Sequence, residues 1–212
     1  MSEHLRGRAL GALRVPAVRL AVHGAQTAAG AQERSGAVES AADQQAPDVP
    51  GVSEETVMSG RVIFLDIDGV LNSTRYWSEN GSLPMNKAGA IDPDAVYRLN
   101  MIVQATSADV VLSSWWRTMS YPVVQGMLQE RGFTGQLIAQ TPVKMESPRH
   151  AEISEWLSQN LCERFVVIDD DPMAWHPEMP FADRGMFAST NYLHGLVDEH
   201  IPLVCDFFAS ST

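Results

Sequence analysis

The sequence predicts an α/β fold over residues 59–212, a Rossmann-like three-layer sandwich in which a mostly parallel sheet lies between helices. Two observations predict it. From Arg61 onward, short apolar runs alternate with amphipathic segments of helical length, as parallel strands with crossover helices require. Three of those runs end in polar residues, Asp66, Ser113 and Asp169, and in open parallel sheets the carboxyl ends of the strands form one ligand-bearing edge.

The elements follow in order. Arg61-Val-Ile-Phe-Leu-Asp is a short apolar run closed by an acid, the pattern of a buried central strand. The Gly-, Asn-, Ser- and Pro-containing stretch 72–91 reads as an irregular functional loop or short hairpin. Asp92-Pro93 opens a helix as N-cap and first residue, with Val96, Leu99, Ile102 and Val103 on its apolar stripe. A second strand, Asp109–Leu112, runs into Ser113-Ser-Trp-Trp-Arg117. A helix over Val123–Arg131, stopped by Gly132, leads to a strand at Gln136–Ala139. Pro148 begins an amphipathic helix with Ile153, Trp156, Leu157 and Leu161 on one face, followed by the strand Arg164–Ile168 and by Asp169-Asp-Asp-Pro. A strand near Gly185–Ala188 and a helix over 196–209 complete the domain.

Residues 1–58 stand apart. From Ala25 to Gly60 the chain is rich in Ala, Gln, Ser and Glu with few large apolar residues, so 1–58 is expected to be a disordered tail. Arg6 to Arg19 is basic and Ala/Leu-rich but lacks the continuous apolar segment of a secretory signal. No apolar run approaches the ~20 residues of a membrane span. Cys162 and Cys205 lie in apolar contexts far apart in sequence, which predicts reduced, buried thiols and a cytoplasmic setting. Of the net charge of −11, residues 59–212 carry ten Lys/Arg against nineteen Asp/Glu, a field that repels polyanions and argues against stable nucleic-acid binding.

The chemistry concentrates in two acidic clusters. In Phe64-Leu-Asp66-Ile-Asp68-Gly, two carboxylates at the end of an apolar strand would suffer desolvation unless paired or bound to a cation. Gly69 suits a tight reversal that keeps both near the strand end. Asp169-Asp170-Asp171 adds a second cluster, and Mg²⁺ characteristically takes one or two carboxylates, waters and a substrate phosphate. The full calcium-loop pattern needs Asp or Asn at alternating positions and a Glu twelve residues on, and apolar Ile67, Val70 and Leu71 argue against it here. A carboxylate can attack phosphorus, and a neighbouring one can serve as general acid and base. Ser113 and Ser114 by themselves also read as a helix N-cap, Trp115, Trp116 and Trp156 as packing residues, and Arg117 as either a substrate clamp or a surface residue.

These segments resemble the haloacid dehalogenase (HAD) superfamily, whose motifs are a strand ending in DxD, a strand ending in Ser or Thr, a basic residue near a later helix start and a strand ending in acids. Within it, Leu65-Asp-Ile-Asp-Gly-Val-Leu-Asn72, Val111–Arg117, Pro148–Trp156 and Val167–Asp171 are similar to the small HAD domains of Swiss-army-knife RNA repair proteins. The resemblance implies a Mg²⁺-dependent phosphatase acting through an aspartyl-phosphate. Asp66 would be nucleophile and metal ligand, and Asp68 acid/base and ligand through its carbonyl. Ser113 would be the phosphoryl hydrogen-bond donor; apart from the resemblance, Ser114 and Arg117, close to it in sequence, are further candidate substrate contacts. Asp170 and Asp169 would complete the metal site. The neutralising cation would be Arg149 or Lys144. Only 45 residues separate Asp68 from Ser113, which leaves no room for a full cap domain. An open cleft suits a phosphate on a large molecule, such as a nucleic-acid end or a protein, or on a nucleotide. The competing readings are a catalytically idle metal- or partner-binding module and a phosphotransferase.

Overall fold

The computed structural model describes residues 59–81 and 88–210; the expected tail, 1–58, lies outside the described residues. β1 (Arg61–Leu65) is exposed only at Arg61, and Val62 to Leu65 are fully buried. A strand apolar on both faces needs cover on both, which is why it is central. It pairs in parallel with β2 (Asp109–Leu112) on one side and β4 (Arg164–Asp169) on the other. β3 (Leu137–Gln140) and β5 (Gly185–Ser189) flank these, giving an all-parallel sheet in the order β3-β2-β1-β4-β5.

Alternation along the strands sorts the core into two layers. Ile63, Leu65, Val110, Leu112, Val166 and Ile168 face α2 (Pro93–Thr106), α3 (Tyr121–Glu130) and α5 (His200–Ala209). Val62, Phe64, Val111, Phe165 and Val167 face α4 (Arg149–Gln159). The Phe64 ring meets Trp156 edge-on at 5.4 Å, joining β1 to α4. The architecture is therefore the α/β Rossmann-like sandwich read from the sequence.

α2 forms as its caps dictate. The Asp92 side chain accepts from Asp94 N at 2.9 Å, Pro93 occupies the first turn, and Val96, Leu99 and Ile102 are fully buried. Three local expectations need correction. The stretch 72–91 is not wholly irregular: α1 (Thr74–Glu79) starts where Ser73 caps Tyr76 N at 3.2 Å, and a 3-10 turn occupies Ala88–Ala90, with 82–87 outside the described residues. Leu161 does not join the apolar face of α4. Asn160 leaves the helix in extended conformation, so Leu161 falls beyond its end and is 90% exposed. The last helix begins at His200 rather than 196, since Leu196 is held to the first loop by its N–H to Val70 O at 2.8 Å.

Cys162 and Cys205 are both free, Cys162 buried and Cys205 only half-buried. No helix among the described residues is long and apolar enough to cross a membrane.

Candidate active site

The ladder hydrogen bonds run one residue past each strand. Asp66 N donates to Ile168 O at 3.1 Å, Ser113 N to Leu65 O at 2.9 Å and Thr141 N to Leu112 O at 3.0 Å. Asp66, Ser113, Thr141 and Asp169 thus stand on one carboxyl edge. Asp66, Ser113 and Asp169 also sit two residues beyond Phe64, Val111 and Val167, so by alternation they face the α4 side of the sheet. Arg149 is the first residue of α4, which has no side-chain N-cap.

Arg149 bridges the two acidic strand ends. Its guanidinium lies 2.7 Å from Asp66 Oδ2 and also contacts Asp169 Oδ2. Burial by itself would lower the Arg149 pKa, but the Asp66 and Asp169 carboxylates outweigh it and hold the group cationic. Asp169 is fully buried, and its carboxyl is pushed up to about 7, by burial first and by Asp66 second, with Arg149 pulling the other way. Asp170 is raised as well, again by burial and then by Asp66.

Asp66, Asp169 and Asp170 each bring a carboxylate oxygen within 4.8 Å of the others. Asp66 Oδ1 is buried with no hydrogen-bond partner. An all-oxygen donor set with one unsatisfied buried carboxylate oxygen fits a hard divalent cation such as Mg²⁺.

The turn after β1 is tightly specified. Gly69 has φ +73°, and a Cβ there would fall 2.4 Å from Asp170 Cγ, so its absence lets the two acidic loops approach. Thr190 Oγ1 donates to Gly69 O at 2.8 Å, tying this turn to the end of β5. Asp68 accepts from Asn72 Nδ2 on Oδ1 at 2.7 Å and from Trp116 Nε1 on Oδ2 at 3.0 Å.

The other sequence candidates separate. Ser113 is fully buried at this edge and its hydroxyl has no partner. Ser114 caps the 3-10 turn Trp115–Met119, its Oγ accepting from Trp116 N at 3.3 Å. Arg117 is neither a surface residue nor open to substrate. It is buried, ion-paired with buried Glu152, and donates to Ser113 O at 2.8 Å, Ser114 O at 2.7 Å and Pro142 O at 3.3 Å. A guanidinium with its donors committed in this way holds the loop after β2. The Lys144 side chain pairs with Glu155 rather than with the acidic cluster, while its backbone N–H binds Glu152 Oε1 at 2.9 Å.

Sequence reasoning passed over Asn72, Thr141 and Thr190, and it read Trp116 as packing alone. Thr141 follows its strand one residue later than the sequence signal, behind polar Gln140, yet its hydroxyl too is buried without a partner. Asn72 closed a quoted motif with no role assigned. Nothing in the sequence alone pointed from Trp116 to Asp68, 48 residues away.

One family, the HAD domain in Swiss Army Knife RNA repair proteins, matches residues 62–201. The chain belongs to that family. The match spans all five strands apart from Arg61, together with every acidic residue of the site. No curated protein and no solved structure matches the chain. As a HAD domain it is a member of a hydrolase family, and between its motifs the described residues hold only α1, α2, α3, β3 and short 3-10 turns.

Proposed function

We propose that this HAD domain is a Mg²⁺-dependent phosphohydrolase that cleaves a phosphomonoester through a phosphoaspartyl intermediate on Asp66. The Asp66 carboxylate carries the reading. One oxygen is held by Arg149 at 2.7 Å, and the other is buried with no partner to release before it reacts. Asp66, Asp169 and Asp170 would hold Mg²⁺ together with the Asp68 carbonyl. Bound there, the ion neutralises the charge of a phosphate brought against three carboxylates.

Asp66 attacks phosphorus, forming one P–O bond as the bond to the leaving oxygen breaks and its electron pair departs with that oxygen. Asp68 gives that oxygen a proton. Asp68 then takes a proton from water as the water oxygen attacks phosphorus, releasing inorganic phosphate and the Asp66 carboxylate. The Ser113 hydroxyl donates to a phosphoryl oxygen, and Arg149 offsets charge building on the transferring group.

For substrate, the family's association with RNA repair and the lack of a cap among the described residues support a phosphate at the end of a nucleic acid, with nucleotides and other large phosphomonoesters as alternatives. The acidic charge of the domain favours transient contact with such an end over stable nucleic-acid binding. Two free cysteines support a cytoplasmic setting.

The test is phosphate release from an aryl phosphate by the wild type and by Asp66→Asn, each with Mg²⁺ and with EDTA. A panel of nucleotides, phosphorylated oligonucleotide ends and phosphopeptides follows. Release that needs Mg²⁺ and vanishes in Asp66→Asn is expected. An inactive wild type across the panel would instead point to a metal- or partner-binding module.

A further inference from the structure

The Asp68 carboxyl is gripped on both oxygens, and we infer that Trp116 and Asn72 are positioning residues for proton transfer at Asp68. The Asn72 amide donates to Oδ1 at 2.7 Å and the Trp116 indole to Oδ2 at 3.0 Å. The terminal torsion of an aspartate is broad and roughly two-fold, so two donors on opposite oxygens set the carboxyl plane where a single donor would leave it to swing. Neither partner can replace Asp68: an indole N–H only donates, and a carboxamide neither ionises nor takes up a proton at working pH.

Both donors are themselves immobilised. Asn72 is 1% exposed, its Oδ1 accepts from Gly69 N at 2.9 Å, and its own N–H donates to Ile67 O at 3.2 Å. The Trp116 ring packs against the core layer that holds α2 and α3, and its backbone N–H is capped by Ser114. The turn that carries it is pinned by Arg117 through the Ser113 and Ser114 carbonyls, and Arg117 is locked to Glu152 of α4. The buried Arg117–Glu152 pair therefore supports the acid/base residue through Trp116, and Glu152 stands on the helix that begins with Arg149. A supporting shell of this kind is what keeps a reacting group within a fraction of an ångström of its productive position.

The inference rests on the acid/base role proposed for Asp68, and it predicts where a loss will show. An alkyl phosphomonoester expels a basic oxygen that needs the proton, whereas an aryl phosphate with an acidic phenol leaves with little help. In Trp116→Phe, kcat/KM, which reports the first phosphoryl transfer alone, should fall about 30-fold on the alkyl substrate. On the aryl substrate kcat/KM should fall less than about threefold, since hydrolysis of the phosphoaspartate, where Asp68 acts as base for both substrates, enters kcat but not kcat/KM. A melting curve checks that the variant folds. Should phenylalanine disturb the packing, β-(3-benzothienyl)alanine at position 116 keeps the ring shape and removes only the N–H, and the same split is expected.

Equal losses of kcat/KM on both substrates, or an unchanged alkyl kcat/KM, would overturn the positioning role while leaving the phosphatase reading intact. A wild type inactive on both substrates would overturn that reading, and this inference with it.

Discussion

Two buried polar clusters lie within a few residues of each other, and they are built in opposite ways. Around Arg117 every charge has its counterpart: Glu152 takes the guanidinium on one oxygen and the Lys144 N–H on the other, while three carbonyls accept three further Arg117 N–H groups. Along the carboxyl edge, Asp66 Oδ1, Ser113 Oγ and Thr141 Oγ1 are the buried side-chain atoms without a partner among the described residues, and they follow three adjacent strands. A buried polar group left unpaired costs about 1–3 kcal/mol, so the first cluster reads as architecture, while the second matches the ligand site of the proposed function.

That contrast breaks most visibly at Arg117. Arg117→Met leaves Glu152 buried and uncompensated and should cost about 3–5 kcal/mol in denaturant unfolding. Arg117→Met/Glu152→Leu should recover much of the loss, because the penalty belongs to the orphaned charge. If the single variant were as stable as wild type, the satisfied cluster would not be structural.

Asp169 sharpens the other side. Its folded-state pKa of about 7 is raised above the ordinary 3.8, so its contribution is fully present below about pH 4 and is lost as pH rises through 7. In EDTA, Asp169→Asn should therefore gain on wild type between pH 5 and pH 8, by about 2 kcal/mol or on the order of 5 °C in Tm. Saturating Mg²⁺ should close the gap by stabilising the wild type. Melting curves across that range check both effects, and a gap that shrinks with rising pH would contradict the sign.

Ser113→Ala should lower kcat/KM by about 10–100-fold while leaving Tm equal or slightly higher, since it deletes a hydroxyl that the fold itself does not satisfy. A fall in Tm with activity unchanged would move Ser113 into the structural cluster. Lys144→Met should do least. Its half-exposed pair with Glu155 is worth less than about 1 kcal/mol, and activity should stay within about twofold. A large activity loss there would restore Lys144 as the phosphate-neutralising cation in place of Arg149.

Much of this was legible in the chain because it is local. Fully apolar runs such as Val62–Leu65 and Phe165–Ile168 specify two-faced burial, and Asp92-Pro93 specifies a helix start within three residues. Asp66 and Asp169 stood out because an acid closing an apolar strand is anomalous without a partner or a cation. Local patterning misled where a boundary depended on neighbours: Leu161 continued the apolar pattern of α4 in sequence, yet Asn160 had already left the helix.

By itself, then, the sequence determined the α/β class, the strands and the acidic residues that close them, since periodicity and desolvation act over a few residues. Only the tertiary structure decided which cation reaches the acids. Arg149 and Lys144 are five residues apart and both cationic, but the start of α4 sets Arg149 between Asp66 and Asp169 while Lys144 is drawn to Glu155. It alone also made Trp116 a partner of Asp68 and Arg117 a buried prop. A side chain's hydrogen-bond partners depend on which strand ends the sheet places side by side, and that ordering is long-range.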